Sequence, residues 1–374
     1  MSSPSDFFLE EPMPPQIGTP RRPRATPVPC LLRASALLVL PGLLYAQDTA
    51  APAEALPRVH VVATGGTISN TEGDRLTGEE LVAGLPGVEE VARITVEQFS
   101  NVASGAITLE QWLELSRRID GLFMEDPELA GVVITHGTDT MEETAYFLDL
   151  TLADCRPVIV TGSMRPASAP GTDGPANLLA SIRVAASEGA GRLGSVVLMN
   201  DEIFPGREVT KIHTSRTHAF VAPAVGGLGV VDPDAVVLHR APAHRMCGTP
   251  AFPVSHLEGL PRVDVVYTAL GSDGALVRAA VEAGAKGIVM ASVGRGGVTP
   301  GQGEAVDQAL ERGVVVVRSS RTGAGRVPVD RGSQEARPTL GAGDLNPQKA
   351  RILLMLALTR TDDPDELREI FRRH

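Results

Sequence analysis

From residue 58 onward, short runs of β-branched apolar residues alternate with stretches of helical periodicity, and that alternation leaves few folds open. The runs at 59–63, 131–135, 158–161 and 196–199 read as strands of a parallel sheet covered by helices on both faces. Between the first two, Thr108 caps a segment in which Leu109, Trp112, Leu113, Ser116, Ile119, Leu122 and Phe123 recur at helical spacing. That stripe, Trp112 included, is expected in the core and not as a cofactor platform. A proline-rich stretch at 241–261 lacks periodicity and reads as a linker. Beyond it, strands are expected at 263–267, 288–291 and 314–317, and helices at 348–358 and 363–371, the last with Asp363 as N-cap and Pro364 as its first residue. The expected class is therefore α/β. A larger, doubly wound and mainly parallel N-terminal domain spans 47–240, and a smaller α/β domain spans 262–374.

Residues 1–46 read differently. A basic cluster (Arg21, Arg22, Arg24) precedes a short apolar run at 31–46 that ends in Ala46 before a polar stretch. This order matches a secretory signal, and the run is too short to span a bilayer. Cleavage after Ala46 would leave a periplasmic protein with no membrane segment. The net charge of −11 argues against nucleic-acid partners, because phosphate contact needs clustered Lys and Arg in excess. Aromatic residues make up only 3% of the chain, so a base-stacking surface is excluded as well. Cys30 lies in the leader, and Cys155 and Cys247 either pair or remain as two free buried thiols. The histidines are scattered. His213 and His218 have no supporting ligands, so neither a metal nor any other cofactor is expected.

Two of the expected strands end alike. The first runs into Thr64-Gly65-Gly66-Thr67-Ile68, the second into Thr135-His136-Gly137-Thr138-Asp139. Ligands of a doubly wound sheet collect beyond the carboxyl ends of its strands, where such glycine-flanked turns expose a hydroxyl. Two threonines so placed suggest a nucleophile and a second hydroxyl that manages protons. Asp139 opens a helix, where the macrodipole favours negative charge, although taken alone it also fits a plain N-cap. Lys211 is the candidate cation, although lysines in its context are commonly solvated. The amides of Gly65, Gly66 and Gly137 suit an oxyanion hole. Residues 70–75 form a polar stretch without an apolar anchor and read as a lid.

These two stretches resemble the paired signatures of the bacterial-type L-asparaginases, the second extending through Thr140-Met141-Glu142-Glu143-Thr144-Ala145-Tyr146-Phe147. Further matches are Gly162-Ser163-Met164-Arg165-Pro166, Val209-Thr210-Lys211 and Leu345-Asn346-Pro347-Gln348-Lys349-Ala350-Arg351, in order along residues 58–374. The leader resembles that of the periplasmic, type II branch. The resemblance implies hydrolysis of the L-asparagine side-chain amide to L-aspartate and ammonia through an acyl-threonine. Thr67 would be the nucleophile, Thr138 and Lys211 the proton-handling pair. Asp139 would bind the substrate ammonium, Ser104 the carboxylate, and Gly66 and Gly137 would line the substrate. The resemblance also implies a homotetramer built from intimate dimers. An amidohydrolase preferring glutamine, D-asparagine or aspartyl peptides is the alternative within the class, and a non-catalytic periplasmic amino-acid binding protein the alternative outside it.

The departures from the pattern are specific. The family's lid offers a tyrosine, but Tyr45, Tyr146 and Tyr267 all lie outside 69–90. Gly105 stands where many members carry Gln or Glu after the carboxylate-binding serine. Gly271 or Ser272 stands where several carry a neighbour-subunit asparagine. The acidic residue expected after the Ser-Ser-Arg segment is replaced by Thr322-Gly323-Ala324-Gly325-Arg326. Cys155 matches a position that relatives use in a disulfide, yet the usual partner region, 124–126, has no cysteine, so that bridge is expected to be absent.

Overall fold

The computed structural model describes residues 55–243, 248–330 and 338–374. The leader, its cleavage site, Cys30 and Cys247 lie outside the described residues. Fourteen described strands are named in chain order: β1 (Arg58–Gly65), β2 (Arg93–Val102), β3 (Leu129–Thr135), β4 (Val158–Thr161), β5 (Ser195–Met199), β6 (Glu202–Pro205), β7 (Thr210–Lys211), β8 (Phe220–Val221), β9 (Gly229–Val231), β10 (Val236–Leu238), β11 (Val263–Tyr267), β12 (Gly287–Ser292), β13 (Val315–Ser320) and β14 (Leu340–Gly341). The helices are α1 (Gly78–Ala83), α2 (Leu109–Glu125), α3 (Met141–Thr151), α4 (Gly174–Ala186), α5 (Ala275–Glu282), α6 (Pro300–Glu311), α7 (Pro347–Ala357) and α8 (Pro364–Arg373).

The larger sheet has the order β10-β9-β6-β5-β4-β3-β1-β2. Its first five strands are parallel and ordered 2-1-3-4-5, while β6, β9 and β10 add an antiparallel edge. This order places a topological switch point beside β1. Successive residues of β3 feed opposite faces: Val132 and Ile134 pack beneath α2 and α3, Val133 beneath α4. Both faces are apolar because both are covered.

The smaller sheet, β11-β12-β13-β14, is wholly parallel. Helices α5 and α6 cover one face with Val277, Ala280, Ala305 and Val306. On the other face lies α7, whose residues 352–357 are fully buried. Helix α7 also packs on α3, so a single apolar cluster joins Val289 and Val317 of the small sheet to Phe147 and Leu148 of the large domain. Through α3, α7 therefore ties the smaller sheet to the larger domain.

Trp112 packs in the core as expected, stacked on Phe147 at 5.1 Å. Thr108 and Asp363 cap α2 and α8 as the sequence suggests. Strand β2 escaped the sequence reading because it is an edge strand, pairing only with β1 and carrying no continuous apolar run. Cys155 is disulfide-bonded, which removes the alternative of two free thiols.

Candidate active site

Glycine determines how closely the strand ends approach. Gly65 and Gly66 adopt φ values of 103° and 89°, turning the chain sharply at the end of β1 into the short helical turn Thr67–Ser69. A Cβ on Gly66 would lie 2.3 Å from the Gly137 nitrogen, and one on Gly137 would lie 2.9 Å from the Ser104 Oγ. The ends of β1, β3 and β2 thus meet backbone against backbone. Thr67, Thr138 and Ser104 are gathered at one corner of the sheet by the absence of three methyl groups, the third at Gly65, where a Cβ would lie 2.5 Å from the Val102 nitrogen. Thr67 is half-buried, Ser104 and Thr138 are buried.

One expected role changes here. The Gly66 amide donates to the Val102 carbonyl at 2.9 Å, so it is already engaged and serves the turn instead of an oxyanion. Of the other expected amides, that of Gly137 has no backbone acceptor among the described residues.

Lys211 lies on β7, which pairs with β8 in a two-stranded ribbon. Its ammonium donates to Thr138 Oγ1 at 2.8 Å and to Asp139 Oδ1 at 2.7 Å. The lysine side chain is only 14% exposed and the aspartate 84%, so the cation is held inside while the carboxylate faces outward. Asp139 is not the helix N-cap. Thr140 holds that position, and the Asp139 carboxylate is free of backbone duty. The expected trio of hydroxyl, carboxylate and amine is therefore assembled from the end of β3 and from β7.

Behind the trio runs a buried hydrogen-bond chain. Trp112 Nε1 donates to Thr144 Oγ1 at 3.0 Å, and Thr144 bonds His136 Nε2 at 2.9 Å. His136 Nδ1 lies 2.8 Å from the Gly137 carbonyl. A carbonyl only accepts, so Nδ1 carries the hydrogen and Nε2 accepts from Thr144. Burial holds His136 down at about 4, so the ring is neutral near neutral pH and serves to fix the Gly137 turn. The sequence showed His136 only as one letter of a signature.

The expected lid is a tight hairpin. Asn70 bridges Arg75, Thr71 donates to the Asp74 carbonyl, and Leu76 donates back to Ser69. No tyrosine belongs to it. Tyr146 is buried on α3, and Tyr267 lies on β11 with the Arg321 guanidinium 5.3 Å from its ring centre. Two further residues near the site went unassigned from sequence, Glu142 and Lys349, both buried charges. Helix α3 also carries Glu143 and Asp149 and α7 also carries Gln348 and Arg351, so neither charge was marked out by its own helix.

The chain matches the family description "Asparaginase, N-terminal" over residues 58–244 and "Glutaminase/Asparaginase C-terminal domain" over 262–371. It is similar to "L-asparaginase 2" of Bacillus subtilis, 40% identical over 85% of this chain and 87% of that protein. It is also similar to a "Glutaminase-asparaginase" of Pseudomonas fluorescens, 38% identical over 90% of this chain and 95% of that protein. Among solved structures, a "Probable Cytoplasmic L-asparaginase" from Campylobacter jejuni superposes with a TM-score of 0.81 at 39% identity, covering 85% of this chain and all of that one.

Proposed function

Because the chain belongs to the asparaginase family, and so to its amidohydrolases, we propose that it hydrolyses L-asparagine to L-aspartate and ammonia, with Thr67 as nucleophile. The observation that carries this reading is the Lys211 ammonium held between Thr138 and Asp139, one residue beyond the Gly66–Gly137 contact. Thr67 Oγ attacks the amide carbon, its proton passes to the departing nitrogen through the Thr138–Lys211 pair, and ammonia leaves from an acyl-threonine. Water then adds to the ester carbon, gives its proton back to Thr67 Oγ and releases aspartate. Asp139 presents an outward carboxylate for the substrate ammonium, and Ser104 a hydroxyl for its carboxylate. The Gly137 amide contributes to holding the developing oxyanion.

Residues 1–46 serve as an export signal, the mature chain is periplasmic, and its two domains are 47–240 and 262–374 with 241–261 between them. The placement follows from the basic flank, short apolar core and small residue at Ala46. The working assembly is a homotetramer of intimate dimers, in keeping with the type II branch. Since a relative 38% identical, against 40% for the L-asparaginase 2, carries the name glutaminase-asparaginase, glutamine is the principal competing substrate.

The test is ammonia release from L-asparagine, L-glutamine, D-asparagine and an aspartyl peptide by wild type, Thr67→Ala, Thr138→Ala and Lys211→Met. Asparagine is expected to be fastest, with each variant slower by about a hundredfold or more. Absence of release from asparagine, or full activity in Thr67→Ala, refutes the assignment.

A further inference from the structure

We propose that the first turn of α7 is a clamp that positions Lys211, with Glu142 and Lys349 as the two buried charges that set where the Lys211 ammonium stands. The inference rests on the proton-handling role given to Lys211 above. The chain between β6 and Lys211 is held from two sides. On one side Lys349, 2% exposed, donates to the carbonyls of Gly206 at 3.0 Å and Arg207 at 2.7 Å, and to that of Val209. These three bonds use every hydrogen of the ammonium. Burial lowers Lys349 to about 8, so it stays charged at neutral pH.

On the other side Glu142, 5% exposed, gathers four donors. Its Oε1 accepts from Thr210 Oγ1 at 3.2 Å, from the Lys211 backbone N–H at 3.3 Å and from Gln348 Nε2 at 3.3 Å. Its Oε2 accepts from Asn346 Nδ2 at 3.0 Å. Every neighbour is a donor, so a carboxylate fits and an amide does not. Glu142 also sits in the first turn of α3, separated from Thr138 and Asp139 only by Thr140 and Met141. The element that presents the partners of the Lys211 ammonium therefore also grips the Lys211 backbone, and α7 closes the grip.

Space confirms the constraint. A Cβ on Gly206 would lie 2.9 Å from the Ala145 and Ser195 carbonyls, so the segment cannot settle closer to the sheet. Packing alone would be served as well by apolar residues at 142 and 349, since buried charges stabilise little relative to hydrophobic replacements of like volume. What fully satisfied charges supply is a single geometry.

Glu142→Gln keeps the shape and removes the carboxylate, and it is the primary variant because Lys349→Met risks misfolding. With asparagine as substrate, Glu142→Gln is expected to lower kcat about ten- to a hundredfold while KM stays within about twofold. The double variant Glu142→Gln/Lys211→Met should be no slower than Lys211→Met alone, because a residue acting through Lys211 has nothing further to lose. Melting temperature, followed in parallel, separates activity loss from unfolding. The clamp is overturned if Glu142→Gln retains wild-type kcat, or if it slows the Lys211→Met enzyme by the same factor as the wild type. Retention of full activity by Lys211→Met itself overturns the catalytic reading on which the clamp depends, and that outcome is visible in the single variant.

Discussion

Replacing Gly66 by alanine asks whether the two threonine turns work as one site. At φ 89° and ψ −172° this backbone lies where essentially only glycine is unstrained, and alanine there costs about 1–3 kcal/mol. The steric effect is larger. The added Cβ would stand 2.3 Å from the Gly137 nitrogen and 2.4 Å from its Cα, backbone atoms with no rotamer to escape into. Ordinary contact begins at 3.4 Å, so the two turns must part by about 1.1 Å (3.4 − 2.3). Thr67 follows Gly66 and Thr138 follows Gly137, so the displacement passes to both hydroxyls at once. A shift of about 1 Å corresponds to roughly a hundredfold loss in kcat. Strain and overpacking together should lower stability by roughly 2–5 kcal/mol. The assay is ammonia release at saturating asparagine, with denaturant unfolding alongside. Gly87→Ala is the control: φ is also positive, at 75°, but no atom lies within 4 Å of the new Cβ. It should carry only the strain, roughly 1 kcal/mol, and leave kcat within about twofold. If Gly66→Ala kept kcat within about threefold of wild type, the contact between the turns would not govern catalysis.

Two further predictions rest on burial and on open space. Burial holds the His136 pKa at about 4, below the 6.5 of the unfolded chain, so between those values only the unfolded state takes the proton. Stability should fall as pH drops through that window, by about 3 kcal/mol at its lower end, and His136→Gln should flatten the fall; equal slopes in urea midpoints against pH would refute this. Gly105 follows Ser104, and no atom lies within 4 Å of a Cβ added there. Gly105→Gln should fold normally and lower KM for asparagine by about three- to tenfold through a bond to the substrate ammonium. An unchanged KM would place residue 105 away from the substrate.

The parallel sheet was legible because strands buried on both faces cannot hide their composition. The runs at β3, β4 and β5 stand out from their surroundings, and Thr108 and Asp363 announce their helices through capping chemistry. The edge strand β2 and the short antiparallel strands were not legible. Each has one or both sides exposed or is only a few residues long, so no periodicity accumulates. The site divides along the same line. Thr67 and Thr138 were visible because glycine-flanked strand ends are rare enough to notice. Lys211, met as one lysine in a polar segment, carried no local mark of its own and drew its weight from the motif around it.

By itself the sequence determined that two hydroxyls stand at the carboxyl edge of one sheet, since strand alternation and glycine placement are local properties. Tertiary structure alone decided what surrounds them. It turned the Gly66 amide toward Val102, denied Asp139 the N-cap, and drew Lys211 onto Thr138. It also brought Glu142 and Lys349, 207 residues apart (349 − 142), to opposite sides of one short segment. Contacts of that kind depend on how α7 packs between the smaller sheet and α3, and no window of sequence contains both partners.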